Sequence, residues 1–249
     1  MEPVTFILAV IITFLVSIIA GMIGGSYLIL IPALIFLGIP AHEVIGITKI
    51  LTIAIGFVAI NYWRKGKLDV KANLPYAALV AIGGIIGSFI VIGLSEKILQ
   101  TIIGILMVII TVFLIFNKNF GVKPLKIKIK KRYIALGWLL FFILGIYDGF
   151  YAAASSIFAV MLFTSLCKRD FVESVASARF IEFFSGLSAA VVFAWNGLID
   201  FKLAIPLAIV FFAGGWVGSN ITLKKGSGFV RWVIIIVSIA FIIKLLVFG

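Results

Sequence analysis

Two segments of this chain are too long to cross a bilayer once and too interrupted to be one helix, and that misfit limits what everything around them can be. Residues 3–37 and 133–166 each hold an apolar run, a glycine-containing interruption and a second apolar run. At 1.5 Å per residue the first would make a rod of about 50 Å against a hydrocarbon core of about 30 Å, while each arm alone is short for a full crossing. A broken helix or a hairpin meets both limits. Backbone freed from helical bonding inside a membrane is tolerated only where protein or a cavity surrounds it. The chain supplies that surrounding protein as clear spans at residues 42–63, 72–92 and 97–116, then 171–195, 202–223 and 229–248. With 64% hydrophobic and only 12% charged residues, the chain is a polytopic membrane protein. The first run is not read as a cleaved signal peptide, because Met1-Glu2-Pro3 lacks a basic flank and the run passes straight into the glycine cluster.

The second half repeats the first. Gly66 and Asp69 answer to Gly197 and Asp200, Pro75 to Pro206, Gly83-Gly84 to Gly214-Gly215, and Gly87-Ser88 to Gly218-Ser219, all at one offset. The expected fold is therefore all-α: two homologous membrane repeats at residues 1–117 and 133–249, joined by a basic linker at 118–132, each with a broken or re-entrant first element and three transmembrane helices. The formal net charge of +12 is concentrated in that linker, from Lys118 to Arg132, and in the loop carrying Arg64, Lys65, Lys67 and Lys71. Such clustering marks cytoplasmic loops and attraction to anionic lipid rather than nucleic acid. If the broken elements turn back, the second repeat is inverted, and Lys168-Arg169 and Lys224-Lys225 also become cytoplasmic. The charge bias favours that arrangement, a recurrent one in transporters.

Charged groups at membrane depth mark the candidate site. Lys49 lies about two turns into its span and Arg179 about two and a half turns into its own, at equivalent repeat positions, which places both beyond easy snorkelling reach. Gly21-x-x-x-Gly25 and Gly145-x-x-x-Gly149 are read as helix breaks, the second containing Asp148. Breaks of this kind expose N–H groups near Ser26 and from Phe150 to Ser155 that attract anions. Gly83-x-x-x-Gly87 and Gly214-x-x-x-Gly218 are read instead as sites of close helix packing. Glu182, three residues after Arg179, and Asp148 either neutralise that arginine or carry a coupling proton. His42 at a helix entrance is read as a cap or interfacial residue, and the lone Cys167 excludes an internal disulfide. No His/Cys/Asp grouping suggests a metal site, a cofactor or an intramembrane enzyme.

Three motifs in this order carry a family resemblance: Gly46-Ile47-Thr48-Lys49, Gly66-Lys67-Leu68-Asp69 and Gly83-Gly84-Ile85-Ile86-Gly87-Ser88. Together with the duplication, they resemble the sulfite exporter TauE/SafE-type permeases over nearly the whole chain. The chain departs from that pattern at Ile47 and Lys49 around Thr48, where many members have Thr-Ser-Lys, and further at Ala176-Ser177-Ala178-Arg179. The resemblance implies a multi-pass carrier of small sulfur-containing anions such as sulfite or sulfonates in a bacterial- or archaeal-type plasma membrane. On that reading Lys49 and Arg179 pair with the anion, while Ser26, Thr48, Ser155 and the backbone around Gly24, Gly25 and Gly149 hydrogen-bond its oxygens. Asp148 and Glu182 are the proton-coupling candidates, and the expected partners are a small anion and membrane lipid. An anion channel using the same residues and a carrier of small carboxylates are the alternatives, and a homo-oligomer is compatible with both.

Overall fold

The computed structural model describes residues 3–22, 24–116 and 133–248; the basic linker at 118–132 lies outside the described residues, and beyond Lys225 only the course of the backbone is described. Every described element is a helix: α1 (Pro3–Met22), α2 (Tyr27–Phe36), α3 (Ala41–Gly56), α4 (Ala59–Arg64), α5 (Val70–Ile92), α6 (Glu96–Phe116), α7 (Tyr133–Phe150), α8 (Ser155–Ser165), α9 (Phe171–Trp195) and α10 (Phe201–Phe248). Five stretches among the described residues are long and apolar enough to cross a membrane: α1, α3 with α4, α5, α9 and the Phe201–Lys225 part of α10. The sequence predicts a turn between residues 223 and 229, whereas α10 continues through it for 48 residues. That is about 72 Å of helix, more than twice the hydrocarbon thickness.

Both overlong segments are broken, and both turn back. Gly24 and Gly25 take φ of +98° and +78° between α1 and α2, a conformation glycine adopts without a Cβ penalty. The second break uses Ala152 and Ala154, at φ of 64° and 62°, between α7 and α8. Gly145 and Gly149 are therefore not the break expected from the sequence. They lie inside α7, where a Cβ on Gly145 would strike the Val80 backbone and one on Gly149 the Gly84 carbonyl. Gly21 is likewise a packing glycine, seated on the Gly215 carbonyl.

Direction follows from these contacts. Along α1 and α10, Gly214 sits on the Phe14 carbonyl, Gly218 on the Ile18 carbonyl, and the Thr222 hydroxyl donates to the Met22 carbonyl at 3.1 Å. The two helices thus run parallel in close contact. α5 and α7 do the same, with Gly83 against Phe142 and Ile146 and Gly87 against Ile146 and Phe150. The small-xxx-small reading of Gly83-x-x-x-Gly87 and Gly214-x-x-x-Gly218 holds, since absent side chains let backbones touch.

The two ends of the bundle are fixed by polar contacts. At one, Lys67 pairs with Asp170 at 3.5 Å and Arg169 Nη1 donates to Asn73 Oδ1 at 2.7 Å, so Lys168-Arg169 lies beside the basic loop between α4 and α5. By the positive-inside rule this end is cytoplasmic. At the other end the Glu96 carboxylate accepts from the Ala41 N–H and contacts His42 Nδ1, each at 2.5 Å. Pro40, which precedes α3, makes no side-chain cap bond, and Glu96 caps α3 in its place. His42 is thus part of a helix entrance, as its position suggests. The loops before α5 and α10 share one design: Gly66 and Gly197 both have φ of +67°, and Asp69 and Asp200 each accept backbone N–H bonds at the helix start. The α1–α2 hairpin enters from the outer end and the α7–α8 hairpin from the cytoplasmic end.

Glycine packing predicts a clear mutational contrast. Gly87→Ala puts a methyl carbon into the Ile146 carbonyl and is expected to destabilise by about 1–3 kcal/mol. Gly104→Ala meets open space and is expected to leave the melting temperature in detergent unchanged or slightly raised.

Candidate functional site

The tips of the two hairpins meet. Gly24 lies against Ser156, at the start of α8, and against the Arg179 guanidinium on α9; a Cβ there would lie 2.8 Å from Nη2. Gly25 lies against Ile157. The first break therefore closes on the second, with an arginine between them.

Arg179 is 1% exposed and Lys49 0% exposed, which rules out snorkelling for both. Arg179 Nη1 is 2.7 Å from Glu182 Oε2, within ion-pair range but not aligned as a hydrogen bond, and Nε and Nη2 have no partner. Glu182 Oε1 accepts from the Ser156 hydroxyl. Two free guanidinium donors beside the start of α2 are what an anion needs.

Lys49 is placed differently. Its ammonium donates to the main-chain carbonyl of Asp148 at 2.6 Å and stands 5.9 Å from the Phe193 ring centroid. Asp148 is in the last turn of α7, where carbonyls lack helical partners and a cation is favoured. Lys49 thus caps the first arm of the second hairpin. The Asp148 carboxylate faces elsewhere: Oδ2 accepts from Ser185 Oγ at 2.5 Å and Oδ1 is buried without a partner.

Lys49, Arg179, Asp148 and Glu182 form one buried group with as many acids as bases. Glu182, one of the two acids the sequence offers as a partner for Arg179, stands beside it, and the four together are charge-balanced. The Thr48 hydroxyl donates to the Ile45 carbonyl of its own helix at 2.7 Å, and Ser155 donates to the Ala152 carbonyl at 2.9 Å. Ser26 is buried at the start of α2 with no cap bond from its side chain. Gly149 is still helical in the last turn of α7, just before the break, and serves the α5 contact. Ser156, Ser185 and Tyr27, whose hydroxyl meets Thr52 Oγ1 at 2.9 Å, join the site without being singled out by the sequence reading. Ser185 had a signal: it follows Glu182 by three residues, on the same face of α9.

Two opposed hairpins closing around a buried, balanced polar centre define a membrane transporter, and the comparisons with known proteins agree. The chain belongs to the family described as "Sulfite exporter TauE/SafE", whose profile it matches over residues 9–245. It is similar to "Probable membrane transporter protein ORF9" of Sinorhizobium sp, with 28% identity across 94% of this chain and 90% of that one. It is also similar to "Probable membrane transporter protein YfcA" of Escherichia coli K12, with 26% identity across 94% and 88%. A "Probable membrane transporter protein" of Haemophilus influenzae is 24% identical across 90% and 88%. No solved structure matches the chain. These are transporters rather than enzymes, and the chain is a multi-pass membrane protein.

The contact between tips can be separated from backbone strain. Gly24→Ala and Gly38→Ala both force alanine into a left-handed conformation, but only the first collides with Ser156 and Arg179, since Gly38 has open space around it. Gly38→Ala is expected to cost about 1–2 kcal/mol with transport retained. Gly24→Ala is expected to abolish transport, measured as solute uptake by reconstituted vesicles.

Proposed function

We propose that this protein is a secondary transporter that moves small sulfur-containing oxyanions, such as sulfite or sulfonates, across the plasma membrane. The observation that carries this is the Arg179 guanidinium, 1% exposed, with Nε and Nη2 unpartnered where the two hairpins meet. A buried charged donor without a partner is costly. An oxyanion that enters as the two tips separate takes these donors and removes that cost with two charge-assisted bonds. Ser26, whose side chain makes no cap bond at the start of α2, is the further donor assigned to the anion. Lys49 acts at one remove: it holds the end of α7 and contributes positive potential. The family description, which names sulfite, supports the substrate class.

Charge balance makes coupling necessary. With Glu182 ionised beside Arg179, an arriving anion finds Nε and Nη2 free but is repelled by the carboxylate next to them. A positive charge delivered to Glu182 or Asp148 releases the arginine and leaves the centre net positive, ready for an anion. Alternating access then consists of the short second arms, α2 and α8, moving against the frames formed by α5–α7 and α1–α10, a variant of the rocking seen in transporters built from inverted repeats.

The test is uptake of radiolabelled sulfite and sulfate into proteoliposomes. Arg179→Ala is expected to raise the half-saturating concentration about 10- to 100-fold, the equivalent of a charge-assisted hydrogen bond. Arg179→Lys restores part of the charge and is expected to fall between. Lys49→Ala is expected to lower the melting temperature as well as uptake. Saturable uptake unchanged in Arg179→Ala would overturn the assignment.

A further inference from the structure

Along one face of α9, Glu173, Ser177, Phe180 and Phe184 follow one another at helical spacing and form a stripe about 16 Å long. Two hollows lie along this stripe. At the cytoplasmic end, a polar chamber of about 400 Å³ is lined by Lys67, Asp69, Arg169, Glu173 and Ser177. Deeper in the membrane, an apolar groove of about 340 Å³ runs between α3–α4 and α9, walled by Phe57, Ile60, Trp63, Phe180 and Phe184. Leu68 lines both, so the hollows adjoin. We propose that together they bind one anionic phospholipid of the cytoplasmic leaflet, of the phosphatidylglycerol kind, with its phosphate in the chamber and an acyl chain in the groove.

Polarity along the stripe changes with depth as it does along a lipid, and about 16 Å is roughly the depth of one leaflet. Phe57, Ile60 and Trp63 are exposed, so the groove opens sideways to the bilayer, with Trp63 at headgroup level. In the chamber, Arg169 is held by neutral groups: Nη1 donates to Asn73 Oδ1 at 2.7 Å and Ser177 Oγ at 2.5 Å, and the guanidinium lies 4.8 Å from the Phe163 ring centre. Among the described residues no carboxylate pairs with it. Asp69 and Asp170 are turned to the starts of α5 and α9, where they accept the Ala72 and Glu173 N–H groups, and Asp170 also pairs with Lys67. Residues 64–71 and 168–173 carry six basic residues against three acidic ones. That surplus selects an anionic headgroup over a zwitterionic one. The Glu173 carboxylate is an acceptor for the hydroxyls of a glycerol headgroup.

Basic loops attract anionic lipid without any site; the groove adds a seat for one chain. Its walls belong to α3–α4 and α9, the elements that carry Lys49 and Arg179 toward the polar centre, and Gly56 at the end of α3 is packed directly on Phe183. A lipid seated there braces this contact from the membrane side. Because it binds the folded protein, it raises stability, whichever solute the protein carries.

The experiment uses the full-length protein, stripped of lipid in a neutral detergent. Its melting temperature is followed as dioleoyl phosphatidylglycerol, or phosphatidylcholine with the same chains, is added in mixed micelles, and native mass spectrometry counts the lipid retained. One phosphatidylglycerol per chain and a saturable rise in melting temperature are expected, with phosphatidylcholine far weaker. Replacing both Arg64→Gln and Lys65→Gln is expected to weaken apparent affinity about 25-fold, about fivefold for each charge. Ile60→Trp, which fills the groove from its exposed side, is expected to weaken it about 10-fold, the loss of roughly two buried methylenes, with melting in the absence of lipid unchanged. Arg169→Gln is expected to weaken binding at least as much, and the other two variants decide the matter if it does not fold. Lys97→Gln, an exposed basic residue at the opposite end of the bundle, is expected to bind as the unaltered protein does. Equal stabilisation by phosphatidylcholine, or by glycerol phosphate alone, would overturn the proposal. So would a phosphatidylglycerol response that Ile60→Trp leaves intact, the mark of diffuse attraction. A dimer that Ile60→Trp disrupts, with no lipid retained, would give the groove to a second copy and overturn it as well.

Discussion

Breaking a helix inside a membrane leaves main-chain donors and acceptors with no water to turn to, and this protein is arranged around satisfying them. A soluble protein could leave such ends to solvent; here each must be met by another part of the chain. The end of α7 is met by the Lys49 ammonium, on α3. The start of α8 is buried against the first hairpin, with Ser156 turned to Glu182 and Gly24 pressed upon it. Each break is therefore completed by the other half of the chain. Neither hairpin has a stable position at this depth without its counterpart.

Glycine packing gives those hairpins something rigid to stand on. In a bilayer, the hydrophobic effect does little to drive one helix onto another, so contact must come from close approach. α1 meets α10 and α7 meets α5 backbone to backbone, so the first arm of each hairpin is bound to a full-length helix from the other half. The second arms, α2 and α8, are only 10 and 11 residues long and lie against α3 and α9. The contrast divides the protein into a firm frame and two short arms that end at the polar centre.

The sequence was legible where physics is local or repetitive. The span positions up to residue 223, the two overlong segments, the turn-back direction and the burial of Lys49 and Arg179 follow from hydropathy, charge bias and internal offset, and the fold agrees with these. The turn expected between 223 and 229 is absent, because α10 runs through it. The second break was misplaced because Gly145 and Gly149 look like the first break, whereas the actual turn is made by alanines. Alanine in a left-handed conformation has no sequence signature; tertiary contacts impose it. The partner of Lys49 was illegible for a related reason: it is a main-chain carbonyl, which every residue carries. Charge balance at the centre could be suspected from Asp148 and Glu182, but their proximity to one another depends on how α7 folds back against α9.

The two hairpin tips perform the same bend with different materials. Gly24 and Gly25 occupy the left-handed region at no steric cost and can leave it as readily, so the first tip is a swivel. Ala152 and Ala154 are held there against a preference of about 1–2 kcal/mol each, so the second tip is a loaded spring, kept bent by its surroundings. Motions that loosen the packing around each tip therefore have unequal consequences: the outer-end hairpin is indifferent to release, and the cytoplasmic-end hairpin gains energy from it. Straightening the two tips therefore differs in cost, and the difference lies in the residues that make the bend rather than in its shape.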